Sequence, residues 1–115
     1  MIFIGSKNVL APGPGAAAYS VSKAGLTQLA RVAAIELAPH GIRCNVIHPN
    51  AVFDTGLWDE ATLTQRATHY KISVEEYKKD NLLQTTITSH DVANLTLAMA
   101  GQAFAKTTGS QIPLD

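Results

Sequence analysis

The sequence predicts an α/β protein built on a parallel sheet, and three features of the chain support this prediction. Met1–Ile4 and Ile42–Ile47 are short apolar runs, which are typical of strands buried on both faces. Between them, residues 17–38 carry the apolar spacing of a long helix. Strand, helix and strand in this order form a βαβ unit with parallel strands. The loops that follow both strands therefore lie at one edge of the sheet, where ligands bind in such folds.

Glycine and proline mark the ends of these elements. Gly5 and Ser6 follow the first strand and lead into a loop that contains two Pro-Gly pairs. Pro39 cannot continue the long helix, and Pro49 with Asn50 closes the second strand. Both predicted strands are thus followed at once by residues that favour turns.

The middle of the chain, residues 54–88, is more polar and is interpreted as an inserted helical lid over a substrate. A helix is expected near residues 62–70, and another begins at Ser73, whose spacing to Glu76 is that of a capping box. Three large apolar side chains at the start of this segment line the lid or cover the core, and lid contact is favoured. They are Phe53, Leu57 and Trp58.

The last part of the chain predicts one more helix and one more strand. Ser89 is the expected N-cap of a helix over residues 91–100, which stops at Gly101. Residues 111–114 form a short final strand. The predicted order is strand, long helix, strand, helical lid, helix and short strand, all within one domain over residues 1–115.

The composition is that of a packed domain without a strong electric field. Of the 115 residues, 46% are apolar and 16% are charged, and nine basic residues balance nine acidic ones. This balance gives no attraction to nucleic acid or to an anionic membrane surface, so neither partner is expected. No apolar stretch approaches the roughly 20 residues of a membrane helix. The single cysteine, Cys44, is expected to be buried, and its lack of a disulfide partner within the chain favours a cytoplasmic location.

None of the four histidines has the spacing of a metal ligand; they are His40, His48, His69 and His90. No metal site is therefore expected. His40 and His90 are interpreted as solvated turn residues. His48 ends the second strand beside the expected ligand site, where contact with a substrate is the minority interpretation.

A phenol, an amine and a hydroxyl are predicted to meet at the ligand edge of the sheet. Tyr19 and Lys23 are four residues apart at the start of the long helix, so their side chains project from the same face. Such a pair occurs often by chance, and alone it indicates an amphipathic residue beside a solvated amine. The strand that ends at Ser6 changes this interpretation, because it brings a third polar group to the same edge. An ammonium close to a phenol favours the phenolate, so Tyr19 is expected to exchange protons at neutral pH.

Further motifs extend this pattern along the whole chain. They are Ser6, Tyr19-Ser-Val-Ser-Lys23, Gly41-Ile-Arg-Cys-Asn45, Pro49, Ser89-His-Asp-Val-Ala93 and Thr108-Gly-Ser-Gln-Ile112. Together they resemble the short-chain dehydrogenase/reductase family, whose Tyr-x-x-x-Lys signature is matched. The resemblance implies an oxidoreductase whose chain forms the carboxyl-terminal, catalytic half of a Rossmann-type doubly wound parallel sheet.

The resemblance also implies a role for each polar side chain. Tyr19 is the general acid/base, Lys23 assists it and hydrogen-bonds the nicotinamide ribose, and Ser6 holds the substrate oxygen. The implied cofactor is NAD or NADP, with NAD favoured, and its binding residues are Tyr19, Lys23, Pro49, Asn50 and Val52. A capping or turn serine remains the alternative for Ser6.

Two residues after Pro49 depart from the family's pattern. Asn50 stands where the family usually has Gly, and Asp54 stands where it usually has Thr. Asn tolerates a left-handed backbone, so Asn50 is expected to preserve the turn. Asp54 is expected to bring a charge near the cofactor, while the backbone of Val52 still binds the carboxamide. Thr55 is the alternative source of the missing hydroxyl.

A narrower resemblance concerns three short stretches. Ile4-Gly-Ser-Lys-Asn8, Gly15-Ala-Ala-Ala-Tyr19 and Ile72-Ser-Val-Glu-Glu76 resemble the dehydrogenase part of bifunctional rhamnulose-1-phosphate aldolase/alcohol dehydrogenases. This resemblance implies a role in rhamnose metabolism, with lactaldehyde or a sugar-derived hydroxy-aldehyde as substrate. It also implies an aldolase domain upstream in the same polypeptide.

The glycine-rich turn that binds a dinucleotide pyrophosphate has no match in these residues, because Gly13-Pro-Gly15 is a different pattern. The amino-terminal, dinucleotide-binding half is therefore interpreted as absent, and the isolated chain is expected to bind the cofactor weakly or not at all. The alternative, from another class, is a non-catalytic structural or oligomerisation module. Apolar faces on the long helix favour a homo-oligomer under either interpretation.

Overall fold

The computed structural model describes residues 1–115 as three strands and four helices, with short 3₁₀ turns between them. The α/β fold class predicted from the sequence is confirmed. In chain order the elements are β1 (Ile2–Ile4), α1 (Ala17–Leu37), β2 (Asn45–Pro49), α2 (Glu60–Tyr70), α3 (Val74–Lys78), α4 (Ser89–Ala100) and β3 (Gln111–Leu114).

The three strands form one parallel sheet in the order β1-β2-β3. Phe3 is paired with Val46 across the first strand pair, and Ile47 is paired with Ile112 across the second. All five residues of β2 are buried, because this strand has a neighbour on each edge and helices against the sheet. β2 is therefore the centre of the core.

Helices α1 and α4 cover the sheet, and both pack on β1 and β2. α1 turns two small side chains, Ala30 and Ala34, into the core, which allows its backbone to approach the strands closely. α4 contributes the fully buried side chain of Met99. α2 packs mainly on α3, so residues between β2 and α4 extend the molecule to one side of the sheet.

The central strand begins later than predicted. Gly41 has a left-handed backbone, with φ of 71°, and the strand starts at Asn45 rather than Ile42. Arg43 instead serves as a link to α4, because its guanidinium donates to the carbonyl oxygens of Met99 at 3.0 Å and Ala100 at 3.1 Å. An apolar run does not reveal such a long-range contact.

The starts of the later helices confirm one predicted cap and correct another. Ser73 and Glu76 form the predicted capping box at the start of α3. The N-cap of α4 is Thr88, one residue before the predicted cap, and Ser89 is the first helical residue. Thr88 donates from its backbone N–H and its hydroxyl to the Asp91 carboxylate, both at 2.7 Å.

None of the four helices combines the length and the apolar character that crossing a lipid bilayer requires.

Ser89 also donates hydrogen bonds to a carboxylate from another part of the chain. The Ser89 hydroxyl and backbone N–H donate to Asp54 at 2.6 and 2.7 Å, and these hydrogen bonds lower the pKa of Asp54. A pKa that is lower in the folded state stabilises the fold above the pKa of the unfolded chain, and this contribution is lost as the pH falls through the folded-state pKa.

We therefore expect Asp54→Asn to lower the thermal unfolding midpoint by a few degrees at pH 7. The difference from the parent protein should be smaller at about pH 3 than at pH 7, because the contribution starts to be lost below the unfolded-state pKa of about 4 and is lost fully only below the lowered folded-state pKa. Glu36→Gln is the matched control, because this exposed carboxylate makes no hydrogen bond or ion pair. An equal destabilisation at both pH values would contradict the expectation.

Candidate active site

One cleft of about 800 Å³ opens at the carboxyl ends of the strands. It brings together residues from the ends of β1 and β2, the first turns of α1 and the segment 53–81. Every predicted site residue lines it, namely Ser6, Tyr19, Lys23, Pro49, Asn50 and Val52. The topology accounts for this convergence, since parallel strands place their carboxyl ends at the same edge.

Tyr19 and Lys23 lie on the first two turns of α1. The Lys23 Nζ atom is 5.9 Å from the centroid of the Tyr19 ring, and it donates to the Ile4 carbonyl oxygen at 3.1 Å. This hydrogen bond ties the ammonium to the end of β1. Tyr19 is 47% exposed, and its hydroxyl has no hydrogen-bond partner within the chain, so the phenol is free to meet a ligand.

Ser6 lies directly after β1 and is buried at 8% exposure. Its Oγ atom accepts a hydrogen bond from the Asn8 backbone N–H at 3.2 Å, which makes Ser6 the N-cap of a short 3₁₀ turn. The alternative role as a turn serine is therefore real. It does not exclude a second role, because the hydroxyl proton of Ser6 is still available for donation to a ligand.

The backbone of Val52 offers a further hydrogen-bond donor to the cleft. Val52 N–H has no acceptor within the chain, whereas the Val52 carbonyl oxygen accepts from the Thr55 hydroxyl at 3.0 Å. An unpaired N–H on the wall of a cleft suits the carbonyl oxygen of a carboxamide. The residues present therefore fit the nicotinamide end of a dinucleotide.

Comparison with known proteins agrees with this geometry. A family model described as enoyl-(acyl carrier protein) reductase matches residues 1–115. The chain belongs to the short-chain dehydrogenase/reductase family.

Two curated members of this family show how much of a relative the chain represents. It is 38% identical over 120 residues to the uncharacterised oxidoreductase YuxG of Bacillus subtilis, covering 100% of this chain and 17% of that protein. It is 29% identical over 116 residues to an uncharacterised NAD-dependent oxidoreductase of Mycobacterium tuberculosis, covering 100% of this chain and 42% of that protein.

Among solved structures, the sorbitol-6-phosphate 2-dehydrogenase SrlD of Erwinia amylovora superimposes with a TM-score of 0.85 at 26% identity. The match covers 98% of this chain and 45% of that one. The chain therefore spans less than half the length of each of these relatives.

The turn after β2 is stabilised differently from what the sequence predicts. Asn50 does not have a left-handed backbone. Its side chain stabilises the turn instead, since the Asn50 amide donates to Asp115 Oδ1 at 2.8 Å and its Oδ1 accepts from Ala51 N–H at 2.9 Å. Lys7 reaches the same carboxylate, with Nζ 2.7 Å from Asp115 Oδ2. Asp115 thus joins the residues that follow β1 and β2.

The expectation that Asp54 brings a charge to the cofactor site is wrong. The Asp54 carboxylate is directed at Ser89, the first residue of α4, and Asp54 does not line the cleft. Thr55 does line it, although its hydroxyl already donates to Val52 O. The aspartate that this chain has at position 54 therefore caps the start of α4 and does not line the ligand site.

His48 is the clearest difference from the sequence-based expectation. The minority interpretation of His48 as a substrate contact is wrong, because the residue is fully buried and does not line the cleft. Its ring lies against the backbone of Ser6, with Nδ1 3.2 Å from Ser6 N and 3.0 Å from Ser6 O. His40 and His90 are exposed, as predicted, but His90 lies in the first turn of α4 and not in a loop turn. No group of three or more His, Cys, Asp or Glu side chains is arranged to hold a metal ion.

An aromatic cluster forms the wall of the cleft opposite the sheet. The rings of Phe53 and Trp58 are 5.0 Å apart, and Tyr77 lies 5.9 Å from each of them. Tyr70 stacks on Tyr77 at 5.9 Å. Burial raises the pKa of the Tyr77 phenol, so this hydroxyl stays protonated at neutral pH.

Sequence reasoning found only part of this wall. Phe53, Leu57 and Trp58 were expected to contact the substrate lid, and all three line the cleft. Tyr70 and Tyr77 were missed because they lie on different helices, α2 and α3, whose packing brings the rings together. The occurrence of two tyrosines in a polar segment is the only signal in the sequence.

We expect Asp115→Ala to loosen the turn at Asn50. The Asn50 amide loses its acceptor, and the amide of Ala51 should then exchange with deuterium about 3 to 10 times faster, the effect of losing one ordinary hydrogen bond. Asp115→Asn is the control, because it retains an acceptor oxygen for both neighbours. Unchanged protection of Ala51 in Asp115→Ala would contradict this account of the turn.

Proposed function

We propose that the protein containing this chain is a nicotinamide-dependent dehydrogenase/reductase that interconverts a small alcohol and its carbonyl compound. One observation carries the proposal: the phenol of Tyr19, the ammonium of Lys23 and the hydroxyl of Ser6 line one cleft at the carboxyl ends of parallel strands. These groups are a proton donor, a cation and a hydrogen-bond donor, which is the set that carbonyl reduction requires.

In the direction of reduction, Tyr19 donates its phenolic proton to the carbonyl oxygen of the substrate, and in oxidation it accepts the alcohol proton. Ser6 donates its hydroxyl hydrogen bond to the same oxygen and so orients the carbonyl group. The Lys23 ammonium stabilises the negative charge that proton donation leaves on the phenolate. The Ile4 carbonyl holds Lys23 in this position through the 3.1 Å hydrogen bond.

The proposed cofactor is NAD, with NADP as the alternative. When bound, the nicotinamide supplies or accepts the hydride. Val52 N–H would hold its carboxamide, Lys23 would hydrogen-bond its ribose, and Pro49 and Asn50 would shape the wall beside it. The NAD dependence of the Mycobacterium tuberculosis relative supports this choice.

The remaining parts of the domain are proposed to lie outside these 115 residues. The chain contains no glycine-rich dinucleotide turn, and it spans 42% and 45% of two relatives. An upstream half that binds the dinucleotide is consistent with both facts. The isolated chain is then inactive, because the cofactor loses most of its binding surface.

The proposed substrate is small and polar, such as lactaldehyde or a sugar-derived hydroxy-aldehyde, and residues 54–88 form a lid over it. The cleft supports this choice, because its lining combines aromatic rings with polar and cationic side chains. We also propose an upstream aldolase domain in the same polypeptide, acting in rhamnose metabolism. The Bacillus subtilis relative, of which the chain covers 17%, is long enough to contain further domains. A reducing cytoplasm suits the free, buried thiol of Cys44.

The experiment that tests this function is Tyr19→Phe in the intact protein. We expect the NADH-dependent reduction of lactaldehyde to fall by about 10² to 10⁴ in kcat, because the general acid is lost. Both NADH and NADPH should be assayed, with a series of small hydroxy-aldehydes.

Tyr70→Phe is the matched control, since it removes a phenolic hydroxyl from the same cleft without touching the proposed triad. It should retain most of the rate. A Tyr19→Phe protein with the parent's full hydride-transfer rate would disprove the proposed role of the triad.

A second candidate function, association between subunits, is favoured by the outer face of α1. Val21 and Ile35 on this face are 72% and 77% exposed, although both are large apolar side chains in a helix that packs on the sheet. Such a face is buried in a partner or in further residues of the same domain. We propose that it contributes to a homo-oligomer, whether or not the cleft is catalytic.

We expect the purified chain to associate, with a mass by light scattering above that of the monomer. Ile35→Lys should shift the protein toward the monomer, because a charge on this face opposes burial. Gln65→Lys on the exposed side of α2 is the control for added charge. A parent chain that is monomeric at high concentration would contradict this second candidate.

A further inference from the structure

We propose that His48 is a positioning residue for Ser6, and that a hydrogen-bond chain from Arg31 through Gln111 holds its ring in a single tautomer. This inference rests on the proposed function, because it gives His48 its effect through the hydroxyl of Ser6. His48, Gln111 and Arg31, which lie outside the proposed triad, would then help to orient the substrate.

The ring of His48 packs against the backbone that follows β1. His48 is fully buried, and a Cβ atom on Gly5 would lie 2.6 Å from His48 Nδ1 and 2.8 Å from Cε1. Only glycine therefore allows the backbone to come this close to the ring. The backbone N and O atoms of Ser6 lie 3.2 and 3.0 Å from the same Nδ1.

The direction of the hydrogen bonds follows from Arg31, which can only donate. Arg31 Nε and Nη2 lie 2.8 and 2.7 Å from the Gln111 amide oxygen, in the amide orientation that satisfies both of its neighbours. The Gln111 amide nitrogen then lies 3.2 Å from His48 Nε2. Because that nitrogen is a donor, His48 Nε2 must accept and carries no proton.

A neutral imidazole without a proton on Nε2 carries it on Nδ1. His48 Nδ1–H therefore donates to the Ser6 carbonyl oxygen, at 3.0 Å. A protonated Nδ1 cannot also accept from Ser6 N–H, 3.2 Å away, so the bond to the carbonyl oxygen is the one that this tautomer makes. The chain runs from α1 through β3 and β2 to the residue after β1, so three strands and one helix determine where the Ser6 backbone lies. The Ser6 hydroxyl oxygen accepts a hydrogen bond from Asn8 N–H. Because the backbone of Ser6 is held in place, its hydroxyl is held in place as well.

The tautomer can be read directly by nitrogen NMR of histidine-labelled intact protein. We expect His48 Nδ1 to carry the proton and Nε2 to be unprotonated at neutral pH. Gln111→Glu should move the proton to Nε2, because a carboxylate accepts where the amide donated. A parent protein with the proton on Nε2, or on both nitrogens, would overturn the proposed chain whether or not the protein is a dehydrogenase.

The effect on Ser6 requires a kinetic test in the intact protein. His48→Leu removes the donor to the Ser6 carbonyl and should lower kcat about 10-fold or more, with the dissociation constant for NADH nearly unchanged. His48→Asn keeps an amide N–H close to the position of Nδ1 and should retain kcat within about threefold of the parent. Retention of the NADH affinity shows that each variant is folded.

A double-mutant cycle separates positioning from general destabilisation. If His48 acts through Ser6, then His48→Leu should cause little further loss of kcat in a Ser6→Ala background, because the hydroxyl that it positions is gone. An equal loss of kcat in both backgrounds would overturn the proposal. Loss of activity in Tyr19→Phe with an unperturbed His48 spectrum would support the proposed function independently of this inference.

Discussion

The parallel pairing of β2 with strands on both of its edges is the constraint on which the rest of the structure depends. A strand with two neighbours has all its backbone groups paired, and burial of its full length then costs no unsatisfied hydrogen bond. The pairing also sets the register, so that β1, β2 and β3 all end at the same edge. The cleft lies at that edge because the segments after β1 and β2 and the first turns of α1 meet there.

Residues just after the three strands are joined by polar contacts. Lys7 and Asn50 both bind the carboxylate of Asp115, and the backbone of Ser6 rests on the ring of His48. A loop at a sheet edge ordinarily moves more than the strand before it. Here the side chains of neighbouring strand ends limit that motion, which is what a hydroxyl needs if it is to hold a substrate oxygen in a constant position.

The opposite wall of the cleft is stabilised by different interactions. Phe53, Trp58, Tyr70 and Tyr77 pack on each other, and α2 packs mainly on α3 and not on the sheet. The side chains of this wall can therefore change without disturbing the end of β1, which precedes Ser6, or the start of α1, which carries Lys23. This separation is consistent with the proposed function, in which Ser6, Tyr19 and Lys23 carry the chemistry and residues 54–88 form a lid over the substrate.

Local patterns in the sequence determined the fold class and most helix boundaries, and they identified Ser6, Tyr19 and Lys23 as candidate site residues. Alternation of apolar runs and turn residues reports on backbone geometry, and the spacing of Tyr19 and Lys23 reports on one helix face; both are local properties. Only the tertiary structure decided the roles of His48, Asn50 and Asp54, because their partners are Ser6, Asp115 and Ser89. Each of these contacts joins residues that are at least 35 positions apart, and spacing along the chain carries no information about which polar side chains meet across a sheet.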